Sequence, residues 1–167
     1  MKILPKQLIP LVAVIAIAAG GYFAFLRQDG APEVKFMTVK GEAFRTSDLR
    51  GKVVLINFWA TDCAPCMHEM PRLIETYRKF EARGFDTVAV AMSYDPPNYV
   101  ARYSEQNALP FKVALDAHGE IAKNFGDVEF TPTTFILDKR GYVISRYVGE
   151  PDFAQLHALL ERALDAT

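Results

Sequence analysis

The sequence predicts an α/β domain, a mixed β-sheet covered by helices on both faces, preceded by one membrane-spanning helix. Three observations predict it. Two largely apolar runs, residues 53–60 (VVLINFWA) and 85–92 (FDTVAVAM), have the length and β-branched content of strands buried on both sides. Segments with helical spacing separate and follow them, so strands alternate with helices before a closing hairpin and a final helix. Ahead of all this, residues 8–26 hold 16 apolar side chains and no charge.

Residues 8–26 come first in the chain. At ~1.5 Å per helical residue they reach about 28 Å, close to the hydrocarbon thickness of a bilayer. Lys2 and Lys6 precede the segment, whereas Arg27 is soon followed by Asp29 and Glu33, so the basic excess places residues 1–7 in the cytoplasm and everything after 26 outside it. A cleaved signal peptide is the competing reading, with Ala16 and Ala18 around the cut, but it leaves apolar Tyr22 to Leu26 on the new terminus. The uncleaved signal-anchor is therefore preferred, and both readings export the domain. No Cys lies near the segment, which excludes lipoprotein processing.

Residues 27–33, with Gly30 and Pro32, read as a linker, and 34–167 as one domain. A short strand pair is expected at 34–39 and 42–44, turned at Lys40-Gly41, with Ser47 capping a single turn before Gly51. The strand at 53–60 leads into a helix from about Cys63 to Ala82, with Pro71 inside it and Gly84 after it. The strand at 85–92 is followed by a helix opened by Asp95-Pro96-Pro97 and ending near Asn107. A short strand at 113–115 and a short helix at 120–125 come next. Strands at 133–137 and 142–147 flank Asp138-Lys139-Arg140-Gly141, whose Gly can take positive φ. Phe153, Leu156, Leu159, Leu160 and Leu164 at helical spacing close the chain.

Half of the 167 residues are apolar, with ordinary aromatic content, which excludes intrinsic disorder. Ten Gly and ten Pro without a period exclude a collagen-like repeat, and two Cys exclude a multi-disulfide scaffold. Residues 27–167 carry 17 basic and 20 acidic groups with no basic stripe, so nucleic acid is not the expected partner.

Both cysteines sit in one tetrapeptide, Cys63-Ala64-Pro65-Cys66, between a buried strand and a helix. A thiolate is the nucleophile of disulfide exchange, and the positive end of a helix favours it. Two intervening residues set Cys66 one turn along from Cys63, within reach of a mixed disulfide formed there. Cys63 is thus the expected attacking thiol and Cys66 the resolving thiol. Pro65 suits the first helical turn, where its missing N–H costs nothing. A purely structural disulfide is the bland alternative, but so small a loop constrains little of the unfolded chain. Haem attachment needs His directly after the second Cys, where Met67 stands, and structural zinc needs two more ligands, for which His118 and His157 are far away at no recognised spacing. No metal or other cofactor is expected. Cys63, Cys66, Met67, His68 and Met70 do form a soft-ligand cluster suited to Cu(I), which leaves copper carriage as an alternative.

The segment 51–61 (GKVVLINFWAT), Cys63-Ala64-Pro65-Cys66, Glu69-Met70-Pro71 and Thr131-Pro132-Thr133-Thr134-Phe135 together resemble the membrane-anchored thioredoxin-like proteins of the TlpA and ResA type, over about residues 34–165. The resemblance implies a thioredoxin fold: a central mixed sheet flanked by helices, with an N-terminal strand extension and a central insertion. It also implies a periplasmic or extracytoplasmic protein-disulfide reductase on the cytoplasmic membrane. Its substrates would be protein disulfides such as those of apocytochrome c or metallochaperones, and a membrane thiol donor of the DsbD or CcdA kind would re-reduce it.

By the same resemblance Pro132 is the cis-proline facing the cysteine pair, and the Thr131 backbone pairs with a bound substrate strand. Pro71 is a helix-kinking proline, and Trp59 the strand-end tryptophan near the active site. Glu69 matches an acidic residue three positions after the second cysteine; spacing places it beside Cys66, where it would tune or deprotonate that thiol, and spacing equally permits a solvated helix carboxylate. Asn57 stands where thioredoxin itself carries a buried acid, which leaves the base for Cys66 open. Asp95 is a further candidate, near the family's other buried acid. Asp62 departs from the family pattern; it would cap the helix or raise the Cys63 pKa. His68 is expected on the helix surface. A disulfide oxidase or isomerase is the other alternative, disfavoured because Ala64-Pro65 carries no cation to stabilise a thiolate. Peroxidase activity is not expected, since Ala60 replaces the Thr that peroxiredoxins carry three residues before their reactive Cys.

Overall fold

A computed structural model describes residues 30–166. The expected membrane-spanning segment at 8–26 lies outside the described residues, and among the described residues no helix is long and apolar enough to cross a membrane.

Strands β1 (Lys35–Met37) and β2 (Ala43–Arg45) pair antiparallel around Gly41, whose φ of +82° suits glycine. Phe36 faces Phe44 across the pair with stacked rings 4.8 Å apart. The single turn that follows is a 3₁₀ segment, Thr46–Leu49, and Ser47 does not cap it. The Asp48 carboxylate accepts from the Arg45 N–H instead, because Ser47 is taken by Glu33, 14 residues earlier in the chain. Residues 30–33 are tied to the domain rather than free linker: Ala31 N–H donates to the Gly141 carbonyl and Thr46 Oγ1 to the Pro32 carbonyl.

The main sheet has five strands in the order β5-β4-β3-β6-β7: β3 (Val53–Trp59), β4 (Phe85–Ala91), β5 (Lys112–Leu115), β6 (Thr133–Leu137) and β7 (Val143–Val148). The first three are parallel to one another, and β6 and β7 are antiparallel to their neighbours. β3 is central and buried along its whole length, which is why its sequence shows no alternation.

Right-handed crossovers explain the layers. Helix α1 (Ala64–Phe80) links β3 to β4, and α2 (Pro97–Gln106) links β4 to β5; both steps go the same way across the sheet, so both helices cover one face. There Leu73, Phe80 and Val100 pack on Leu55, Trp59 and Ala89. Helix α4 (Phe153–Asp165), capped by Asp152, adds Leu156 and Leu160 to that face. The other face buries Val54, Ile56, Phe58 and Val88 under α3 (Glu120–Asn124), Phe125 and the β1–β2 unit. The chain returns from β5 across the sheet to β6, on the far side of β3, so β3 and β6 lie side by side and bring two loops together at the carboxyl end of β3.

Candidate active site

Helix α1 begins immediately after β3 and the turn 60–62. Its N-cap is Cys63, whose Sγ accepts from the Cys66 N–H at 3.2 Å, so Asp62 does not cap the helix; it lies exposed one residue earlier. Cys63 and Cys66 form a disulfide with Cα atoms 5.2 Å apart. The two are not equivalent, since Cys63 is half-buried and Cys66 is fully buried. The helix continues through Pro71 to Phe80, so that proline does not end it.

The turn before Cys63 is pinned from the neighbouring strand's loop. Asp95, buried after β4, accepts from both the N–H and the hydroxyl of Thr61, each at 2.6 Å. It thereby fixes the approach to Cys63. Pro132 enters β6 from the adjacent loop. The Thr131–Pro132 bond is cis, the Pro132 carbonyl accepts from the Gly149 N–H at 2.8 Å, and Thr131 Oγ1 lies 3.4 Å from the Tyr94 hydroxyl. Trp59 is completely buried, its ring 5.3 Å from that of Tyr103, as a core packing residue beneath this end of the sheet.

Glu69 is the residue that departs most from ordinary expectation. It is fully buried, not solvated. The buried set on α1 is Cys66, Glu69, Met70, Leu73, Thr76 and Phe80, a 3–4 spacing that includes the carboxylate in the core stripe. Glu69 Oε1 accepts from Asn57 Nδ2 at 2.8 Å, and the same amide nitrogen reaches Thr134 Oγ1 at 3.0 Å. Burial pushes the Glu69 pKa from 4.5 up to about 7, against the lowering effect of the Asn57 hydrogen bond and with help from the negative charge of Glu150. Glu69 Oε2 and Asn57 Oδ1 have no partner among the described residues. Residues 57, 69 and 134 thus bring an acid to the place where the amide alone offered none.

Glu150 was not visible as a site residue in the sequence. It lies in the loop after β7 and binds back to α1, to His68 Nδ1 at 2.9 Å and to Arg72 Nη1 at 3.2 Å, so it brackets Glu69 from the surface. The hydrogen bonds and charges of His68 and Arg72 hold the Glu150 carboxyl below its ordinary range. No local pattern marks position 150; only the folded juxtaposition does. The soft ligands do not converge: Met70 is in the core and His68 is turned to Glu150.

A CxxC disulfide with one half-exposed sulfur, set at the mouth of a helix on the thioredoxin fold, defines a dithiol–disulfide exchanger. The chain belongs to the Redoxin family, whose model matches residues 27–160. It is similar to the thiol-disulfide oxidoreductase ResA of Bacillus thuringiensis subsp. konkukian (strain 97-27), with 36% identity over 132 residues that cover 79% of this chain and 75% of that protein. Among solved structures it is similar to a thiol:disulfide interchange protein of the thioredoxin family from Chlorobium tepidum TLS, with a TM-score of 0.75, 29% identity, and coverage of 83% of this chain and 97% of that one. Site, family and relatives agree on a thiol-disulfide oxidoreductase acting on disulfide-containing proteins.

Proposed function

We propose that this oxidoreductase is an extracytoplasmic protein-disulfide reductase, held on the cytoplasmic membrane by residues 8–26. The observation that carries the mechanism is the asymmetry of the pair: half-exposed Cys63 at the helix mouth, buried Cys66 with the buried acid Glu69 one turn along. In the reduced protein the Cys63 thiolate attacks one sulfur of a substrate disulfide, and the other sulfur leaves as a thiolate and takes a proton from solvent. Glu69 accepts the Cys66 proton, and the Cys66 thiolate attacks Cys63 Sγ. The substrate's second sulfur leaves as a thiolate and takes up a proton, two electrons have passed to the substrate, and the Cys63–Cys66 disulfide has formed.

A carboxylate near pKa 7 suits this role, because it exchanges protons with little driving force lost in either direction near neutral pH. The direction of net transfer is supported by charge. Ala64 and Pro65 place no cation at the thiolate, and Asp62 adds an exposed carboxylate next to Cys63; both favour the thiol over the thiolate and hence a stronger reductant. Apocytochrome c or metallochaperone cysteines are the substrates proposed, and a membrane dithiol donor of the DsbD or CcdA kind supplies the electrons that reopen Cys63–Cys66.

Trapping tests the roles. Cys66→Ser is expected to accumulate covalent mixed disulfides with substrate proteins, visible as reductant-sensitive bands on non-reducing gels, and Cys63→Ser to accumulate none. Equal trapping by the two variants would show the roles to be wrongly assigned.

A further inference from the structure

The described chain begins at the end of the sheet farthest from the disulfide. Gly30 bridges Tyr142, and Ala31 N–H donates to the Gly141 carbonyl at 2.8 Å, both partners belonging to the β6–β7 turn. β6 runs antiparallel to β3, with Leu137 opposite Val54 and Thr133 opposite Phe58. The turn therefore stands at the Val53 end of the sheet, whereas Cys63 and Pro132 stand beyond the Trp59 end. The seven residues of β3 alone separate the two ends by about 20 Å.

We propose that the pole formed by the β6–β7 turn and the start of β3 faces the lipid headgroup layer of the bilayer, holding the disulfide on the side turned away from the membrane. This rests on the anchor reading of residues 8–26. From Leu26 to Gly30 are four residue steps, which extend to at most about 14 Å. That leash is shorter than the sheet it would have to swing past. The domain cannot turn its far pole to the membrane while Gly30 stays pinned.

Charge points the same way. Arg50 packs along Gly141 and makes no ion pair among the described residues. Lys52 stands just before β3, half-exposed while it pairs with Asp86, and Lys139 in the turn donates to the Leu164 and Ala166 carbonyls; exposed Asp48 and Asp165 and the turn's own Asp138, paired with Arg140, balance these cations. At the disulfide pole the exposed groups Asp62, Asp127, Glu129 and Asp152 are acidic. An anionic surface therefore repels the second end more than the first. It follows that substrates arrive from the aqueous side, and that the membrane donor must present thiols projecting about 20 Å or more from the bilayer rather than within it.

Fluorescence quenching on vesicles tests this with the full-length chain. In a Cys63→Ser, Cys66→Ser background, a single cysteine is introduced as Arg50→Cys or Phe130→Cys and labelled; the chain is then inserted into phosphatidylglycerol–phosphatidylethanolamine vesicles carrying a headgroup spin label. Quenching is expected to be several-fold stronger at position 50 than at position 130. Equal or reversed quenching in a chain that co-floats with the vesicles overturns the orientation alone. A chain that does not co-float overturns the anchor reading and the orientation with it. Hydrogen exchange on the unsubstituted full-length chain gives a second readout independent of labelling: vesicles should slow exchange at 138–142 and leave 61–66 unchanged, and the opposite pattern overturns the proposal.

Discussion

Two buried carboxylates stand at opposite ends of the same sheet and behave in opposite ways. Asp86, in β4 at the Val53 end, is nearly as inaccessible as Glu69 at the disulfide end. Burial pushes Asp86 up, but hydrogen bonds from Lys112 at 2.7 Å and Lys52 at 3.1 Å outweigh it and hold the carboxyl below its ordinary range. Glu69 has only the neutral Asn57 amide, and its pKa rises to about 7. Burial is common to both, so the charge of the partner decides. A carboxylate given cations becomes a fixed structural anion, and one given an amide becomes a group that can take up and release a proton at neutral pH.

The largest expected effect comes from removing the mobile proton. Glu69→Gln should slow resolution of the mixed disulfide by about 10²-fold, the lower range for loss of a positioned acid or base, as read by stopped-flow turnover of a model disulfide. The same variant changes the pH dependence of stability. Glu69 binds its proton more tightly folded than unfolded, so its contribution is fully present below pH 4.5 and is lost as pH rises through about 7. Between pH 4.5 and 8 that loss amounts to about 3 kcal/mol, and Glu69→Gln should abolish it in denaturant titrations at the two pH values.

Asp86→Asn should cost about 1–2 kcal/mol at pH 7, discounted because Lys52 and Lys112 are partly exposed, and should leave the rate of disulfide exchange unchanged. Its sign is the reverse of that for Glu69: the lowered carboxyl stabilises above its unfolded pKa of 3.8, and that stability disappears as pH falls through the folded value. Wild type should therefore lose its advantage over Asp86→Asn in acid. The smallest effect is that of Glu150→Gln. Removing a surface charge that raises the Glu69 pKa should move the Glu69-dependent limb of the pH–rate profile to lower pH, with the fold unchanged by circular dichroism.

Much of this was legible in the sequence, and the physical reason is locality. The buried strands at 53–59 and 85–91, the helix opened by a cysteine pair and a proline, and the closing helix are each written in a run of neighbouring residues. Asn57 shares a strand face with Leu55 and Trp59 by alternation alone, and Glu69 falls in the stripe of Cys66, Met70, Leu73 and Phe80 by helical spacing. Their meeting requires knowing which helix covers which face, which no local pattern states. The same holds for Glu150 on His68 and Arg72, more than 75 residues apart in the chain, and for Glu33, which takes Ser47 away from its expected capping role. Asp62 failed as a cap for a closer reason. The cysteine next to it already occupies the N-cap and offers its own sulfur to the Cys66 N–H.

The most direct measurement is a carbon-13 NMR titration of the glutamate side-chain carboxyls in the oxidised protein. One carboxyl resonance titrating near pH 7, and missing from Glu69→Gln, is the predicted result. If every glutamate titrates below pH 5, Glu69 is an ordinary carboxylate and is not the proton acceptor for Cys66.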